Sequence, residues 1–264
     1  MTDVTLHSTV SGRDSAPVLL LLNSFGATQS MWDPQMPLLS SHYRVIRCDT
    51  RGHGDSPTPP PPYSFDDLVG DALAVLDRRN VETATVMGLS MGGMTGLGLA
   101  LTAPDRIDRL ICCAARADAP EPFIQNWHNR LAMLEKGGIE EIWNNTLGMW
   151  LGEDTRRDHP EKEADLRAGF LKTTEDGYRG GAHALMGLDY LRHLGGMKVP
   201  TLFIAGENDM AAPPEAMRAM SEACPGSELA VVPGAKHIIN VDSPVNFNVA
   251  VLDTLGLEPG YQGT

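Results

Sequence analysis

A serine set between two glycines, Ser90 in the stretch Gly88 to Gly92, has the sequence setting that most clearly indicates chemistry in this chain. A serine hydroxyl is a weak nucleophile unless a base takes its proton and hydrogen-bond donors stabilise the oxyanion that forms on attack. The spacing G-x-S-x-G predicts a tight turn from a strand into a helix, where larger side chains would collide. We therefore expect Ser90 to be a nucleophile and the Met91 N–H, at the helix N-terminus, to be an oxyanion donor.

The base and the acid that such a serine needs are predicted to be His237 and Asp209. His237 follows the last predicted strand, and Asp209 comes shortly after the strand before it, so both are expected at the carboxyl edge of the sheet. The chain order serine, acid, histidine is the one expected for a nucleophile on this kind of sheet. We expect Asp209 to orient His237. Glu207 and Asp242 remain rivals for the acid role, and Asp209 is preferred to both.

A second oxyanion donor is expected in the loop Asn23 to Gly26. This loop follows the apolar run Val18 to Leu22 and precedes a predicted helix, the place from which such an amide is supplied. We predict that the Phe25 N–H acts together with the Met91 N–H. The alternative is a turn that only ends the strand.

The elements that must position these residues alternate along the chain, which predicts an α/β fold with a mostly parallel sheet. The apolar runs predict strands at Val4–Val10, Val18–Asn23, Tyr43–Asp49, Thr83–Gly88, Ile107–Ala114, Thr201–Ala205 and Glu228–Val232. Amphipathic or small-residue segments predict helices at Met31–Leu39, Phe65–Arg79, Gly92–Thr102, Pro214–Ala223 and Val245–Leu255. Ser64 and Asp67 are expected to cap the second of these helices.

The alternation stops between residues 119 and 196, where large apolar residues recur at helical intervals. We predict a helical cap over 119–196, inserted into a core domain formed by residues 1–118 and 197–264.

The composition of the chain limits the classes of partner that it is expected to bind. The chain has 264 residues and a formal net charge of −13, which disfavours nucleic acid and anionic membranes as partners. The start of the chain shows no basic segment followed by a long apolar core, so neither secretion nor a membrane span is expected. The four cysteines show no metal-ligand spacing and are expected to be buried thiols in a reducing, cytoplasmic compartment. A small molecule is the expected partner, and the sequence leaves a homo-oligomer open.

Several stretches together resemble the α/β-hydrolase family over nearly the whole chain, and within it the 3-oxoadipate enol-lactonases. They are Asn23-Ser24-Phe25-Gly26, Met31-Trp32-Asp33-Pro34-Gln35, Cys48 to Ser56, Gly88 to Met94, Gly206-Glu207-Asn208-Asp209 and His237-x-x-Asn240-Val241. The pair Asn23-Ser24 is the discriminating part, since most relatives carry His-Gly there. The resemblance implies an α/β-hydrolase fold with a helical cap. It also implies a hydrolase that opens a five-membered enol-lactone to a 3-oxo dicarboxylic acid in aromatic catabolism, with no metal or organic cofactor.

The resemblance also implies where the substrate binds. Trp127 and Arg130 are similar to the tryptophan and arginine at the start of the enol-lactonase cap, so Arg130 is expected to bind the substrate carboxylate and Trp127 to form a pocket wall. Asn23 and Ser24 are expected to contact substrate as well. The alternative is a solvated Arg130 and a Trp127 in the core. The middle of the insertion, residues 151–159, departs from the enol-lactonase pattern and leaves the substrate open.

Three other functions remain open from the sequence. One is a general carboxylesterase or lactonase acting on small neutral esters, with perhydrolysis as a side reaction. The second is a carbon–carbon bond hydrolase, and the third is a hydrolase-fold binding protein without turnover. A dehalogenase is disfavoured because its nucleophile would be an aspartate at the position of Ser90.

Overall fold

A computed structural model describes residues 4–257 and has at its centre a mostly parallel sheet of seven strands. The strands are β1 (Ser8–Ser11), β2 (Val18–Leu22), β3 (Arg44–Cys48), β4 (Ala84–Leu89), β5 (Ile107–Cys113), β6 (Thr201–Gly206) and β7 (Glu228–Val232). Their spatial order is β1-β3-β2-β4-β5-β6-β7, and β1 runs antiparallel to its neighbour while the later pairs are parallel. This is the mostly parallel α/β arrangement expected from the sequence.

Helices cover the sheet and leave its central strands buried, as the continuous apolar runs of β2 and β6 indicate. The helices of the core are α1 (Met36–His42), α2 (Phe65–Arg78), α3 (Met91–Thr102), α8 (Pro214–Ala223), α9 (Ile239–Asp242) and α10 (Pro244–Leu255). The predicted cap of α2 is confirmed: the Asp67 N–H donates to the Ser64 hydroxyl, and the Ser64 N–H donates to the Asp67 carboxylate.

Two predicted elements were wrong in their bounds. The first strand begins at Ser8 rather than Val4, because its partner β3 ends at Cys48, which pairs with Ser8. The backbone before Ser8 instead bonds a loop, through the His7 carbonyl and the Asp49 N–H at 3.0 Å. The first predicted helix is divided into a 3-10 segment, Gln29–Gln35, and α1, since Pro34 and Pro37 have no N–H to donate. The other predicted strands agree with the structure to within one residue at either end.

Between β5 and β6 the chain forms a 3-10 helix, Leu191–Gly196, and four α-helices before it, α4 (Glu121–Trp150), α5 (Glu153–Asp158), α6 (Pro160–Phe170) and α7 (Glu175–Met186). Gly138, with φ of 67°, breaks α4. The Arg130 side chain therefore bonds Thr146 on the other side of the break, although a straight helix would separate these two positions by about 24 Å. The two halves of α4 thus fold back on each other and α7 packs against them.

The four cysteines are free thiols in buried positions. Within residues 4–257, no helix has the combined length and apolar character that crossing a membrane requires.

Candidate active site

Ser90 lies in a strained turn between β4 and α3, with φ of 56° and ψ of −119°. Its N–H donates to the Cys113 carbonyl at the end of β5, at 2.8 Å, which fixes the turn to the neighbouring strand. A Cβ atom on Gly88 would collide with the Gly92 carbonyl, and one on Gly92 would collide with the Leu22 carbonyl. The glycines are therefore required for the close approach of strand and helix.

His237 and Asp209 are joined by a hydrogen bond of 2.8 Å between Nδ1 and a carboxylate oxygen, and both side chains are buried. The other Asp209 oxygen accepts from the N–H groups of Ala211 and Ala212, at 2.8 and 3.1 Å. Because Asp209 only accepts when ionised, His237 carries its proton on Nδ1 and presents a free Nε2. A histidine held in this state can act as a general base.

The two rival acids are engaged elsewhere. Glu207 accepts from the Gly234 N–H at 2.7 Å. Asp242 accepts from the Gly152 N–H at 2.9 Å and from the Lys236 N–H at 2.8 Å, and so connects the cap to the loop before His237. Of the three candidates, Asp209 is the one bonded to His237.

The loop after β2 holds Phe25 beside the turn of Ser90. The Phe25 ring packs against the rings of His53, Trp127 and Tyr178, with centroid separations of 5.3, 5.3 and 4.7 Å. Within residues 4–257, no acceptor bonds the Phe25 N–H. The Met91 N–H is at the first position of α3, where helix amides have no partner within the helix. Both amides are thus available to a ligand.

One cavity of about 520 Å³ has Ser90 and His237 in its wall. Ser24, Phe25, Trp127 and Arg130 also line it. Within the described part of the chain, its charged lining residues are arginines, and no aspartate or glutamate contributes to the wall. The cavity therefore favours an anionic ligand even though the chain as a whole has a net charge of −13.

Arg130 is fixed in this wall by contacts within the cap. Its Nε donates to the Tyr178 hydroxyl at 2.8 Å, and another of its nitrogens donates to the Thr146 hydroxyl. The guanidinium lies 5.4 Å from the centre of the Trp127 ring. Burial raises the pKa of Tyr178, an effect that the neighbouring Arg130 opposes, so the phenol stays protonated. The buried indole N–H of Trp127 has no hydrogen-bond partner among residues 4–257.

The Asn23 side chain, which was expected to contact substrate, lies outside the cavity wall. Its amide donates to the Cys48 carbonyl at 2.8 Å and accepts from the Trp32 indole at 3.1 Å. The side chain is 1 % exposed and is not part of the cavity wall, in contrast to the neighbouring Ser24. Asn23 therefore supports the loop from behind, because its amide satisfies two buried polar groups, and the expectation that it contacts substrate is not supported.

His53 is a buried residue whose ring packs against Phe25 at a centroid separation of 5.3 Å. Its Nδ1 lies 3.0 Å from the Arg51 carbonyl, so this nitrogen donates. Burial lowers the pKa of His53 to about 4, against the opposing effects of the Arg51 carbonyl and Asp49. The side chain is thus a neutral imidazole at physiological pH.

The described residues contain one group with ligand atoms close enough to hold a metal ion, formed by His7, Asp49 and Asp55. It is separate from the residues lining the cavity. The Asp49 carboxylate already accepts from the N–H groups of Gln29 and Asp55, at 2.8 and 3.1 Å, and contacts His7. These hydrogen bonds explain the cluster without an ion.

Two residues of the cavity were missed from the sequence. Arg116 lines the wall two positions after the predicted strand Ile107–Ala114, so the carboxyl-edge reasoning that selected Asp209 could have found it. Tyr178 left no such signal, since its link to Arg130 joins residues 48 positions apart on different helices.

Comparison with known proteins extends these observations. A family model described as the alpha/beta hydrolase fold matches residues 17–244. A 3-oxoadipate enol-lactonase of Acinetobacter baylyi is 34 % identical over 249 residues, covering 94 % of this chain and 92 % of that protein. A RutD protein of Caulobacter, whose name proposes carbamate hydrolysis, is 32 % identical and covers 91 % of each chain. The crystal structure of the enol-lactonase from Burkholderia xenovorans superposes with a TM-score of 0.92 at 35 % identity, over 97 % of this chain and 98 % of that one.

Proposed function

Because the chain belongs to the α/β-hydrolase family, we propose that it is a serine hydrolase that opens a small enol-lactone carrying a carboxylate, similar to 3-oxoadipate enol-lactone. The main support is the bonded pair His237 and Asp209 in a cavity that also contains Ser90 and arginines but no carboxylate in its described wall. The similarity to enol-lactonases supports the lactone as substrate.

In the first step His237 Nε2 accepts the proton of Ser90, and the serine oxygen forms a bond to the lactone carbonyl carbon. The Phe25 and Met91 N–H groups stabilise the oxyanion. When the tetrahedral intermediate collapses, the ring carbon–oxygen bond breaks and the imidazolium returns its proton to the enol oxygen. The enol then tautomerises to the ketone, and the acyl group remains on Ser90.

In the second step His237 removes a proton from water as the water oxygen attacks the acyl carbon. The ester bond to Ser90 breaks, the serine recovers its proton, and the open-chain acid leaves. Asp209 keeps His237 in one tautomer and stabilises the imidazolium in both steps. Water could also attack the lactone directly, with His237 as base, because an enol is a better leaving group than an alkoxide.

Arg130 is proposed to bind the substrate carboxylate. The planar guanidinium matches a carboxylate, and its bonds to Tyr178 and Thr146 fix it before the ligand arrives. The Trp127 ring, whose centre lies 5.4 Å from this guanidinium, is proposed to form the adjacent wall of the pocket. Ser24, in the wall next to Phe25, is proposed to contact the ring.

The similarity to RutD makes carbamate hydrolysis the second candidate. The two functions are separated by measuring kcat/KM for an enol-lactone with a free carboxylate, for its methyl ester, for p-nitrophenyl acetate and for a small carbamate. We expect the carboxylate-bearing lactone to be the best of these by at least about tenfold, the effect of one charge-assisted hydrogen bond. Faster turnover of the carbamate or of the neutral esters would contradict the proposal.

The Ser90→Ala variant distinguishes the two routes for water. An acyl-enzyme route predicts loss of lactone turnover by about 10⁴-fold or more. Direct attack of water predicts that Ser90→Ala keeps substantial lactone turnover, and that this turnover still requires His237. Mass spectrometry of the quenched wild-type reaction should detect the acyl group on Ser90 in the first case.

A further inference from the structure

The cavity wall contains a second arginine, Arg116, which has no part in the proposed reaction steps. Arg116 lies just beyond the end of β5, three positions after Cys113, the residue whose carbonyl accepts the Ser90 N–H. Its side chain is 17 % exposed and lines the same cavity as Ser90 and Arg130. The two arginines thus come from different parts of the molecule, one from the edge of the sheet and one from the cap.

Among residues 4–257, the polar contacts of Arg116 are long ones to Asp118. It contacts Asp118 through a carboxylate oxygen at 3.4 Å and the carbonyl oxygen at 3.5 Å. By contrast, Arg51 and Asp71 form a buried pair in this protein with contacts of 2.6 and 2.9 Å. Asp118 is 43 % exposed, so water competes for its carboxylate. Most N–H groups of Arg116 therefore remain available to a ligand.

The orientation of Arg116 is nevertheless restricted. Its guanidinium lies 5.2 Å from the centre of the Phe123 ring, which also belongs to the cavity wall. Contact with an aromatic face holds a cation without using its N–H donors. A largely desolvated guanidinium of this kind gains more from binding a carboxylate than one in open solvent does.

We infer that Arg116 is a second carboxylate-binding residue, so that the cavity binds small dicarboxylates with one carboxylate on Arg130 and the other on Arg116. The role of Arg130 in this pairing rests on the proposed function. Ring opening converts a lactone with one carboxylate into an acid with two, so the product belongs to the ligand class that the two arginines select. Short dicarboxylates are consequently expected to be competitive inhibitors.

The test is direct binding by isothermal titration calorimetry, which needs no turnover. The probes are adipate and adipamate, which have the same chain length but carry two carboxylates and one. Wild-type protein is expected to bind adipate at least about tenfold more tightly than adipamate. In Arg116→Gln this preference is expected to fall to within about twofold, while the Kd of adipamate stays near the wild-type value because Arg130 is intact. Thermal unfolding verifies that the variant is folded.

Asp118→Asn is a matched variant that should strengthen adipate binding, whereas Arg116→Gln should weaken it. Removing the carboxylate that competes for Arg116 should tighten adipate binding by up to about fivefold, the scale of a partly exposed ion pair. The same substitution made in the Arg116→Gln background should have no effect on adipate. If Arg116→Gln does not fold, Arg116→Lys replaces it. The lysine keeps the charge but lacks the planar guanidinium, so its preference for adipate over adipamate is expected to lie between those of the wild type and of a protein without a charge at this position.

Equal affinity of wild-type protein for adipate and adipamate would overturn the inference, as would a preference that persists in Arg116→Gln. Failure of the proposed function gives a different pattern: the enol-lactone is not turned over, yet the preference for adipate and its loss in Arg116→Gln are still measured. Turnover of the enol-lactone without any preference for adipate would leave the proposed function standing and remove the second subsite.

Discussion

The backbone N–H of His237 donates to the carbonyl oxygen of Met149 at 3.2 Å. The next residue, Ile238, makes the same kind of bond to Trp150, also at 3.2 Å. The loop that carries the proposed general base is therefore held by the last turn of α4, which belongs to the cap. A change in the cap should alter the position of His237 as well as the shape of the cavity.

Asp242→Asn tests this connection. The carboxylate accepts from the N–H groups of both Gly152 and Lys236, and an asparagine offers one acceptor oxygen in place of two. We expect the free energy of unfolding to fall by about 1 kcal/mol, because one partly buried N–H loses its partner. We also expect kcat to fall while KM changes less. Denaturant unfolding and steady-state kinetics measure both. Asp158→Asn, an exposed change on α5, is the control and should leave kcat unaltered.

Asp209→Asn tests the assignment of the acid. An asparagine can no longer accept the His237 Nδ1 proton as a carboxylate does, so the tautomer with a free Nε2 loses its support. We expect kcat to fall by about 10³- to 10⁴-fold with little change in KM. Glu207→Gln is the matched control, because Glu207 bonds Gly234 instead. Comparable losses in the two variants would show that neither carboxylate orients His237 selectively.

Arg130→Gln tests carboxylate recognition by the cap. The ratio of kcat/KM for the carboxylate-bearing lactone to that for a neutral ester is expected to fall by about 10- to 100-fold, since a charge-assisted contact is lost on one substrate only. Arg179→Gln, at another arginine of the cap that pairs with Glu175, serves as the control and should keep the ratio. An unchanged ratio in Arg130→Gln would place the substrate carboxylate elsewhere.

His53→Gln tests the effect of a buried neutral imidazole on stability. Burial lowers the pKa of His53 to about 4 in the folded protein, below the ordinary value near 6.5. Between these two pH values the unfolded chain binds the proton and the folded one does not, so stability falls as the pH drops through this window. The loss attributable to His53 is about 2–3 kcal/mol. Urea unfolding at pH 7 and pH 4.5 should show a smaller difference for the variant than for the wild type.

Much of the candidate site could be predicted from the sequence because it depends on local pattern. The glycines around Ser90 are set by the clash of Cβ atoms at one turn, and this constraint lies within a few residues. Asp209 and His237 were expected at the strand edge since each follows an apolar run, and the structure does bring these two together. The predicted start of β1 was wrong, because pairing with β3, and not the apolar run, determines where this strand begins.

What the sequence by itself determined was the α/β alternation, the turn at Ser90 and the order of the residues that follow the strands, because these depend on hydrophobic periodicity and on backbone sterics. Tertiary structure decided which way the side chains face. Asn23 points into the core because Cys48 and Trp32 supply its buried partners, and Arg130 faces the cavity because the break at Gly138 brings Thr146 to it. Such contacts join residues far apart in the chain, and they are fixed only when the packed elements bring them together.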